Sequence, residues 1–297
     1  MEFMLATLYK KSLSSALVRE LEEAIARSVA IAIEEDLGKR DLTAELVPAA
    51  QIATASIISR ESAIICGIPW VDECFRQVAP SARIDWLVNE GERVIPDQSL
   101  CKISGNARGM LTAERCALNF LQLLSATATI TRQYVDAIAG TKANILDTRK
   151  TIPGLRLAQK YAVTVGGGMN QRLGLYDGIL IKENHIAAAG GIKQVLTAAS
   201  TINAGVPIQI EVESLAELQT ALDADAKLIL LDNFGLQELR AAVALNAGRA
   251  ILEASGGIDI SNVREIALTG VDRISIGNLT KNIRAIDLSM RFETLRV

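Results

Sequence analysis

The chain has 297 residues, of which 49% are hydrophobic and 4% aromatic, and its 31 Lys and Arg against 34 Asp and Glu give a formal net charge of −3. The apolar content excludes an intrinsically disordered chain, and the excess of aliphatic over aromatic residues favours strands buried by helices on both faces. Because the balance is slightly acidic and no block of Lys or Arg occurs, we expect neither a nucleic-acid partner nor an anionic membrane surface.

The thiols and the histidine restrict metal and redox chemistry. The cysteines are Cys66, Cys74, Cys101 and Cys116. They form no Cys-x-x-Cys pair and His185 is the single histidine, so a structural zinc site is not expected. We interpret the cysteines as buried, reduced thiols of a cytoplasmic protein. Residues 3–9 are too short for a signal peptide, and no apolar run reaches the roughly 18 residues of a membrane span.

The first part of the chain predicts a long helix followed by a sheet. Apolar residues recur at every fourth position, which predicts a helix from Leu13 to near Gly38. These residues are Leu17, Leu21, Ile25, Val29 and Ile33. Short apolar runs bounded by proline and glycine follow, and they predict strands of a mainly antiparallel sheet. The runs are residues 53–58, 63–68, 84–88 and 100–103.

A second long helix is predicted over residues 113–138, and short strands then alternate with helices. The predicted strands are 144–146, 178–181, 208–210, 228–231, 250–252 and 273–276. The predicted helices are 155–165, 215–222, 236–245 and 263–268. This alternation predicts parallel strands joined by helical crossovers. Six such strands favour a closed or nearly closed barrel, although an open doubly wound sheet has the same rhythm.

Polar or glycine-rich segments follow each of these strands. They are residues 147–150, 182–185, 211–213, 232–233, 253–257 and 277–278. In a barrel the carboxyl ends of all strands point to one rim, so these residues are expected to converge on one mouth.

Cations and carboxylates at this rim favour an anionic substrate. The cations are Arg149, Lys150, Arg172 and Lys182, and such groups suit carboxylates and phosphates. Glu211 and Asp232 follow separate strands and suit Mg²⁺ whose other ligands are waters and substrate oxygens. Ion pairing among these side chains is the alternative.

Small residues after the last two strands predict a phosphate site. Ser255, Gly256, Gly257 and Gly277 would let backbone N–H groups approach a phosphate, and a tight turn without a ligand is the alternative. His185 is expected to orient a neighbouring residue through a hydrogen bond more readily than to act as an acid or base.

Longer motifs resemble one known family. LDTRKTIPGLR at 146–156, GGGMNQRLGLYD at 166–177 and LIKENHI at 180–186 are similar to quinolinate phosphoribosyltransferases. Shorter motifs continue the resemblance in order along the chain: EDLG at 35–38, DLT at 41–43, TAERCALN at 112–119, LLDN at 230–233, EASGG at 253–257 and ISIG at 274–277.

The resemblance implies a fold and a reaction. The fold is an N-terminal α/β sandwich, expected over 1–115, and a C-terminal open, TIM-like α/β barrel, expected over 116–280, with 281–297 returning to the first domain. The reaction converts quinolinate and 5-phosphoribosyl-1-pyrophosphate to nicotinate mononucleotide, pyrophosphate and CO₂ with Mg²⁺, in NAD biosynthesis. The implied assembly is a homodimer or a multiple of it.

The resemblance also implies roles for individual residues. Arg149, Arg172 and Lys182 would hold the quinolinate carboxylates, with Thr148 and Gln171 nearby and Arg115 supplied by the partner subunit. Lys150 would contact anionic groups, Glu211 and Asp232 the ribose hydroxyls or Mg²⁺, and Ser255, Gly256, Gly257 and Gly277 the 5-phosphate. Lys150, Lys182, Glu211 and Asp232 are the expected catalytic set.

Two positions depart from the family pattern. Gln171 stands where the family usually has histidine, and glutamine donates a neutral hydrogen bond but cannot become cationic. Lys281 and Asn282 follow Gly277 where a histidine is often found. The family histidine therefore serves binding alone, or turnover in this chain is altered.

Three other functions remain open from the sequence. One is a pyrophosphorylase of the same fold acting on another base, as in proteins found with molybdenum transport. The presence of Arg115, Arg149, Arg172 and Lys182 favours a dicarboxylate and argues against it. The second is a Schiff-base aldolase with Lys182 as nucleophile, and the third is a non-catalytic module that binds a phosphate ligand.

Overall fold

The structure, a computed structural model, describes residues 15–202 and 205–293 and divides into two compact units. Among these residues the first unit holds 15–129, 152–166 and 283–293, and the second holds 130–151, 167–202 and 205–282. Leu13, where the first helix is predicted to begin, and segment 3–9 lie outside the described residues. The domain limits 1–115, 116–280 and 281–297 stay predictions.

The first unit combines helices with an antiparallel sheet. Its elements are α1 (Ser15–Leu37), a 3₁₀ turn (Ala44–Leu46), β1 (Ile52–Ser59), β2 (Ala63–Ile64), α2 (Ile68–Val78), β3 (Arg83–Trp86), β4 (Arg93–Val94), β5 (Ser99–Asn106), α4 (Arg156–Val165), β12 (Leu288–Phe292) and the part of α3 (Ala107–Ala137) up to residue 129. The main sheet has the order β12-β1-β5-β3 and each pair in it is antiparallel. Strands β2 and β4 form a separate antiparallel pair. The predicted antiparallel sheet is confirmed.

The apolar stripe on α1 packs into the core of this unit. Leu21, Ile25 and Val29 are buried as the four-residue spacing predicts, because residues four apart lie on one helix face. The rings of Trp70 and Tyr161 meet with centroids 5.4 Å apart, which attaches α4 to α2 within this unit. The predicted helix over 155–165 is therefore confirmed, but it belongs to the first unit and is not a crossover of the parallel sheet.

The predicted strand over 63–68 is wrong beyond Ile64. Gly67 adopts φ +114° and Pro69 occupies the first turn of α2, a helix that the apolar run did not indicate. The carboxylate of Glu90 accepts the N–H groups of Gly67 at 2.7 Å and Ile68 at 3.0 Å. A carboxylate far away in sequence thus stabilises the start of α2. Glu90 is buried, and burial raises the pKa of its carboxyl.

The second unit contains a six-stranded parallel sheet crossed by helices. Its elements are β6 (Asn144–Leu146), β7 (Ile179–Ile181), α5 (Glu183–Ala189), α6 (Ile192–Ile202), β8 (Ile208–Val212), α7 (Leu215–Asp223), β9 (Leu228–Asp232), α8 (Leu236–Asn246), β10 (Ile251–Ser255), α9 (Val263–Ala267), β11 (Arg273–Ser275) and α10 (Asn278–Lys281). All six predicted strands are present, whereas α5 and α6 were not predicted.

The strand order of this sheet is β6-β11-β10-β9-β8-β7. Within the described residues β6 and β7 are its two edges, so the barrel is open, as the family resemblance implied. Every neighbouring pair is parallel, which directs all six carboxyl ends to one rim.

The thiols are free and buried, as predicted from the sequence. Burial raises the pKa of Cys101 to about 12 and that of Cys116 to about 11, so both stay protonated at neutral pH. Over residues 15–202 and 205–293 we find no helix with the length and apolarity needed to cross a membrane.

Replacing Glu90 tests the start of α2. Glu90→Ala would leave two buried N–H groups without an acceptor, so we expect the free energy of unfolding to fall by about 3 kcal/mol. Asp85→Ala, which removes an exposed acid paired with Arg83, is the control and should cost at most about 1 kcal/mol. Denaturant unfolding measures both, and equal losses would contradict this role of Glu90.

Candidate active site

A cleft of about 450 Å³ opens at the carboxyl ends of the parallel strands. Its lining includes most of the predicted site residues: Thr148, Arg149, Lys150, Gln171, Arg172, Lys182, Glu211, Asp232, Ser255, Gly256 and Gly257. The convergence predicted from the strand ends is confirmed for these residues, although their chemical roles stay predictions. Leu180, Leu230, Asn233, Glu253 and Ser275 complete the lining.

Two predicted residues are not in this lining. Gly277 lies beside it, since a Cβ added there would stand 3.1 Å from Cδ of Lys150 and 3.7 Å from Oγ1 of Thr148. Arg115 lies on α3 in the first unit, and its contribution to a site stays a prediction.

The segment after β6 is fixed by local hydrogen bonds. The N–H of Lys150 donates to Oγ1 of Thr148 at 3.1 Å. The hydroxyl of Thr280, on α10, donates to the carbonyl of Lys150 at 2.8 Å. The backbone under Lys150 is therefore held by two hydroxyl groups, which positions its side chain at the rim.

Two guanidinium groups lie close together in the cleft. Burial, then the positive charge of Arg149, lower the pKa of Arg172, and Asp177 partly offsets them. Nη1 of Arg172 donates to the carbonyl of Gly178 at 3.0 Å, which fixes the group. Like charges held this close favour an anion between them.

A lysine and a glutamate form an ion pair at the same rim. Nζ of Lys182 lies 3.1 Å from Oε1 and 2.9 Å from Oε2 of Glu211. Burial raises the pKa of Glu211, Lys182 opposes this shift, and the charge of Asp232 raises it further. The expected alternative of ion pairing is thus present for this pair, and Glu211 and Asp232 are near enough to interact.

His185 supports the position of Lys182. Nδ1 of His185 accepts the N–H of Lys182 at 3.0 Å, at the first turn of α5. The N–H of His185 in turn donates to the carbonyl of Lys182 at 2.9 Å. His185 therefore makes a hydrogen bond to a neighbouring residue, as predicted from the sequence.

The glycine segment after β10 lies against the residue that follows β9. The N–H of Asn233 donates to the carbonyl of Ser255 at 2.9 Å. Gly256 has φ +98°, and a Cβ there would stand 2.1 Å from Oδ1 of Asn233. Gly257 has φ +59° with no atom within 4 Å of such a Cβ. Only glycine fits position 256, whereas position 257 is open.

The residues of this cleft that suit a metal are Glu211 and Asp232. Among the residues that the structure describes, no three His, Cys, Asp or Glu side chains group in a way that could hold a metal ion. Mg²⁺ takes one or two protein carboxylates and completes its shell with water and phosphate oxygens. Two neighbouring carboxylates at an open rim fit that requirement.

The missed lining residues follow the alternation of the strands. Glu253 and Asn233 belong to the strand-end segments predicted to reach the mouth, whereas Leu180 and Leu230 were missed. These two precede Lys182 and Asp232 by two positions, and residues i and i+2 of a strand face the same side, so extending the predicted strand ends inward by two positions would have identified both. Nothing in the sequence pattern singled out Ser275, whose buried hydroxyl has no hydrogen-bond partner among the described residues.

Replacing Gly256 or Gly257 with alanine tests the close approach of Gly256 to Asn233. Gly256→Ala should lower the free energy of unfolding by about 2 kcal/mol more than Gly257→Ala, because both carry the cost of positive φ but only the first meets Asn233. Thermal and denaturant unfolding measure the difference. Equal destabilisation would contradict this prediction, because it would mean that Asn233 moves away from the added methyl group at little cost.

Known families and proteins match nearly the whole chain. The model described as quinolinate phosphoribosyl transferase, N-terminal domain, matches residues 41–125, and the C-terminal domain model of the same family matches residues 127–291. The chain is similar to the nicotinate-nucleotide pyrophosphorylase (carboxylating) of Mycobacterium leprae, with 42% identity over 268 residues, 87% of this chain and 94% of the relative.

Solved structures give the same result. The nicotinate-nucleotide pyrophosphorylase of Francisella tularensis has a TM-score of 0.89 at 44% identity, covering 92% of this chain and 97% of that one. That of Ehrlichia chaffeensis has a TM-score of 0.87 at 36% identity, covering 95% and 100%. With both family models matched in order and these identities over most of its length, the chain belongs to the quinolinate phosphoribosyltransferase family.

Proposed function

We propose that the protein transfers the phosphoribosyl group of 5-phosphoribosyl-1-pyrophosphate to quinolinate, giving nicotinate mononucleotide, pyrophosphate and CO₂ in NAD biosynthesis. One observation carries the proposal in a chain of this family: four cations and three carboxylates line one cleft at the ends of the parallel strands. Both substrates are anionic, and a protein of net charge −3 must bind them at a local concentration of positive charge.

Quinolinate binds at the cations nearest to β6 and β7. Arg149 and Arg172 face its carboxylates, because a planar guanidinium pairs well with a planar carboxylate, and Lys182 adds a point charge. A bound carboxylate also relieves the repulsion that lowers the pKa of Arg172. Thr148 and Gln171 line the same part of the cleft.

The sugar phosphate binds at the carboxyl ends of β10 and β11. Ser255, Gly256 and Gly257, with Gly277, present backbone N–H groups to the 5-phosphate. Lys150 lies beside Gly277 and offsets the negative charge of the pyrophosphate. Glu211 and Asp232, on β8 and β9, lie between β7 and β10 in the sheet order, and we expect the ribose hydroxyls there.

The reaction proceeds by displacement at the ribose. The C1–O bond to pyrophosphate breaks with oxocarbenium character, which Glu211 and Asp232 stabilise. The pyridine nitrogen forms the new bond to C1 and becomes cationic. When the carboxylate at C2 leaves as CO₂, the electron pair of the broken bond stays on C2, where the adjacent cationic nitrogen stabilises it, and a proton from Lys182 or water then adds to that carbon. Holding both substrates in one cleft brings the reacting atoms together and lowers the entropic part of the barrier.

Mg²⁺ is part of the proposal. Glu211 and Asp232 would hold it, and when bound it neutralises charge on the departing pyrophosphate. Lys182 already pairs with Glu211, so Asp232 is the more available ligand of the two carboxylates.

The pair between Lys182 and Glu211 argues against an aldolase. A Schiff-base nucleophile needs an amine that is free to attack a carbonyl carbon, whereas Nζ of Lys182 is paired with both oxygens of Glu211. We also propose a homodimer, in which Arg115 of one subunit completes the cleft of the other, and a cytoplasmic location. Only the resemblance to the family supports these two points.

The reaction itself is the first test. Protein incubated with quinolinate, 5-phosphoribosyl-1-pyrophosphate and Mg²⁺ should form nicotinate mononucleotide and release CO₂ in equal amounts, measured by chromatography and by carboxyl-labelled quinolinate. Ligand binding without any product would favour the non-catalytic module instead.

Arg149→Ala tests which substrate the guanidinium serves. We expect quinolinate affinity to fall about 30-fold, since hydrogen bonds to charged groups contribute about 2 kcal/mol, and sugar-phosphate affinity to change little. Arg240→Ala, at an exposed arginine of α8, is the control. Calorimetric titration measures both ligands, and equal weakening of the two would reject the carboxylate role.

Mixing two inactive variants tests the shared site. Arg115→Ala and Lys182→Ala subunits should each lack activity, while their mixture should regain about a quarter of the wild-type activity as mixed dimers form with one complete site. Measured activity that stays at the level of the separate variants would contradict a site shared between subunits.

A further inference from the structure

A line of hydrogen bonds joins a buried carboxylate to the backbone of Arg172. Glu253, on β10, is 1% exposed and accepts from Nε2 of Gln209, on β8, at 3.0 Å. Oε1 of Gln209 accepts Nε2 of Gln171 at 2.6 Å. Oε1 of Gln171 accepts the N–H of Arg172 at 2.8 Å. Nε2 of Gln171 also makes a longer contact of 3.4 Å with Oε1 of Glu253.

The two ends of this line fix its direction. A backbone N–H only donates and a carboxylate only accepts, so Oε1 of Gln171 faces Arg172 and its Nε2 faces Gln209 and Glu253. Each amide between the ends has a single orientation that satisfies both neighbours. Without the carboxylate, the N–H of Arg172 alone would favour one orientation of Gln171, and the amide of Gln209 would no longer be restricted to a single orientation.

Glu253 has no cation partner among the residues that the structure describes. Its carboxylate accepts hydrogen bonds from two amide groups, those of Gln171 and Gln209. Burying a carboxylate among neutral donors is costly, so stability alone does not account for an acid at this position. The carboxylate lies in the lining of the same cleft as Arg149 and Arg172.

The segment carrying Arg172 is held from a second side as well. Oδ1 of Asp147 accepts the N–H of Gln171 at 2.9 Å, and Oδ2 accepts Nδ2 of Asn170 at 2.6 Å. The guanidinium of Arg172 must stay in place against repulsion from Arg149. The hydrogen bond from the N–H of Arg172 to Oε1 of Gln171 anchors the backbone at this residue.

We propose that Glu253 is a positioning residue: through Gln209 and Gln171 it holds Arg172 where a carboxylate of the substrate binds. The role of Arg172 toward quinolinate rests on the proposed function. Gln171, the position at which this chain departs from the family pattern, is the connector, and its amide both donates and accepts along the line.

A swap of two side chains provides the sharpest test. Glu253→Gln replaces the acceptor-only carboxylate with an amide that can donate or accept, so this end no longer fixes the direction of the line. The double variant Gln209→Glu with Glu253→Gln restores an acceptor-only group next to Nε2 of Gln171, with the new amide at 253 donating to it. Glu265→Gln, at an exposed acid on α9, is the control.

Two measurements separate the role from general destabilisation. Calorimetry gives the affinities for quinolinate and for 5-phosphoribosyl-1-pyrophosphate, and amide hydrogen exchange reports the N–H of Arg172. For Glu253→Gln we expect quinolinate affinity to fall about tenfold, sugar-phosphate affinity to change less than about twofold, and the Arg172 amide to exchange faster. The double variant should reverse these changes, and Glu265→Gln should match the wild type.

Equal weakening of both ligands, or a double variant no better than the single one, would overturn the proposal. Wild-type protein that fails to bind quinolinate would instead refute the proposed function. In that case exchange at Arg172 still decides the positioning role: unchanged exchange in Glu253→Gln contradicts it, and faster exchange that the swap reverses supports it.

Discussion

Repulsion between the guanidinium groups of Arg149 and Arg172 is the constraint on which the cleft depends. Burial and this repulsion both lower the pKa of Arg172, so the pair is costly to hold together. The protein holds it with a hydrogen bond from Arg172 to the carbonyl of Gly178 and with backbone contacts at Gln171. In the proposed complex, a carboxylate of quinolinate lies between the two groups and offsets part of this cost.

The other charges of the cleft are arranged around that pair. Lys182 is neutralised by Glu211, and its backbone is capped by His185. Glu211 and Asp232 interact with each other at the same rim, and in the proposed reaction they face the ribose, where positive charge develops. In the proposed complex one cleft holds both anionic substrates with their reacting atoms adjacent.

Most of this site could be predicted from the sequence because parallel strands bring their carboxyl ends together. Residues that follow different strands, such as Arg149, Lys182 and Asp232, could be assigned to one mouth from the strand pattern alone. The resemblance to the family added the chemistry and the open form of the barrel. The assignment of residues to one mouth and the resemblance to the family both rest on patterns that are local in sequence, namely strand periodicity and short motifs.

Features that depend on distant contacts could not be predicted in this way. The start of α2 depends on Glu90, whose carboxylate reaches Gly67 and Ile68 across the fold. The membership of α4 in the first unit depends on its packing against Trp70. The partners of Glu253 lie on another strand and in a loop, so its sequence neighbours gave no sign of the hydrogen bonds that it makes.

The central claim is that the cleft recognises two carboxylates on one pyridine ring, and comparing two bases tests it most directly. Steady-state kcat/KM is measured for quinolinate and for nicotinate, which lacks the carboxylate at position 2, at one saturating concentration of 5-phosphoribosyl-1-pyrophosphate. The account predicts that quinolinate is preferred by about a thousandfold or more, because the guanidinium pair keeps its mutual repulsion when one carboxylate is missing. Comparable kcat/KM for the two bases would contradict it.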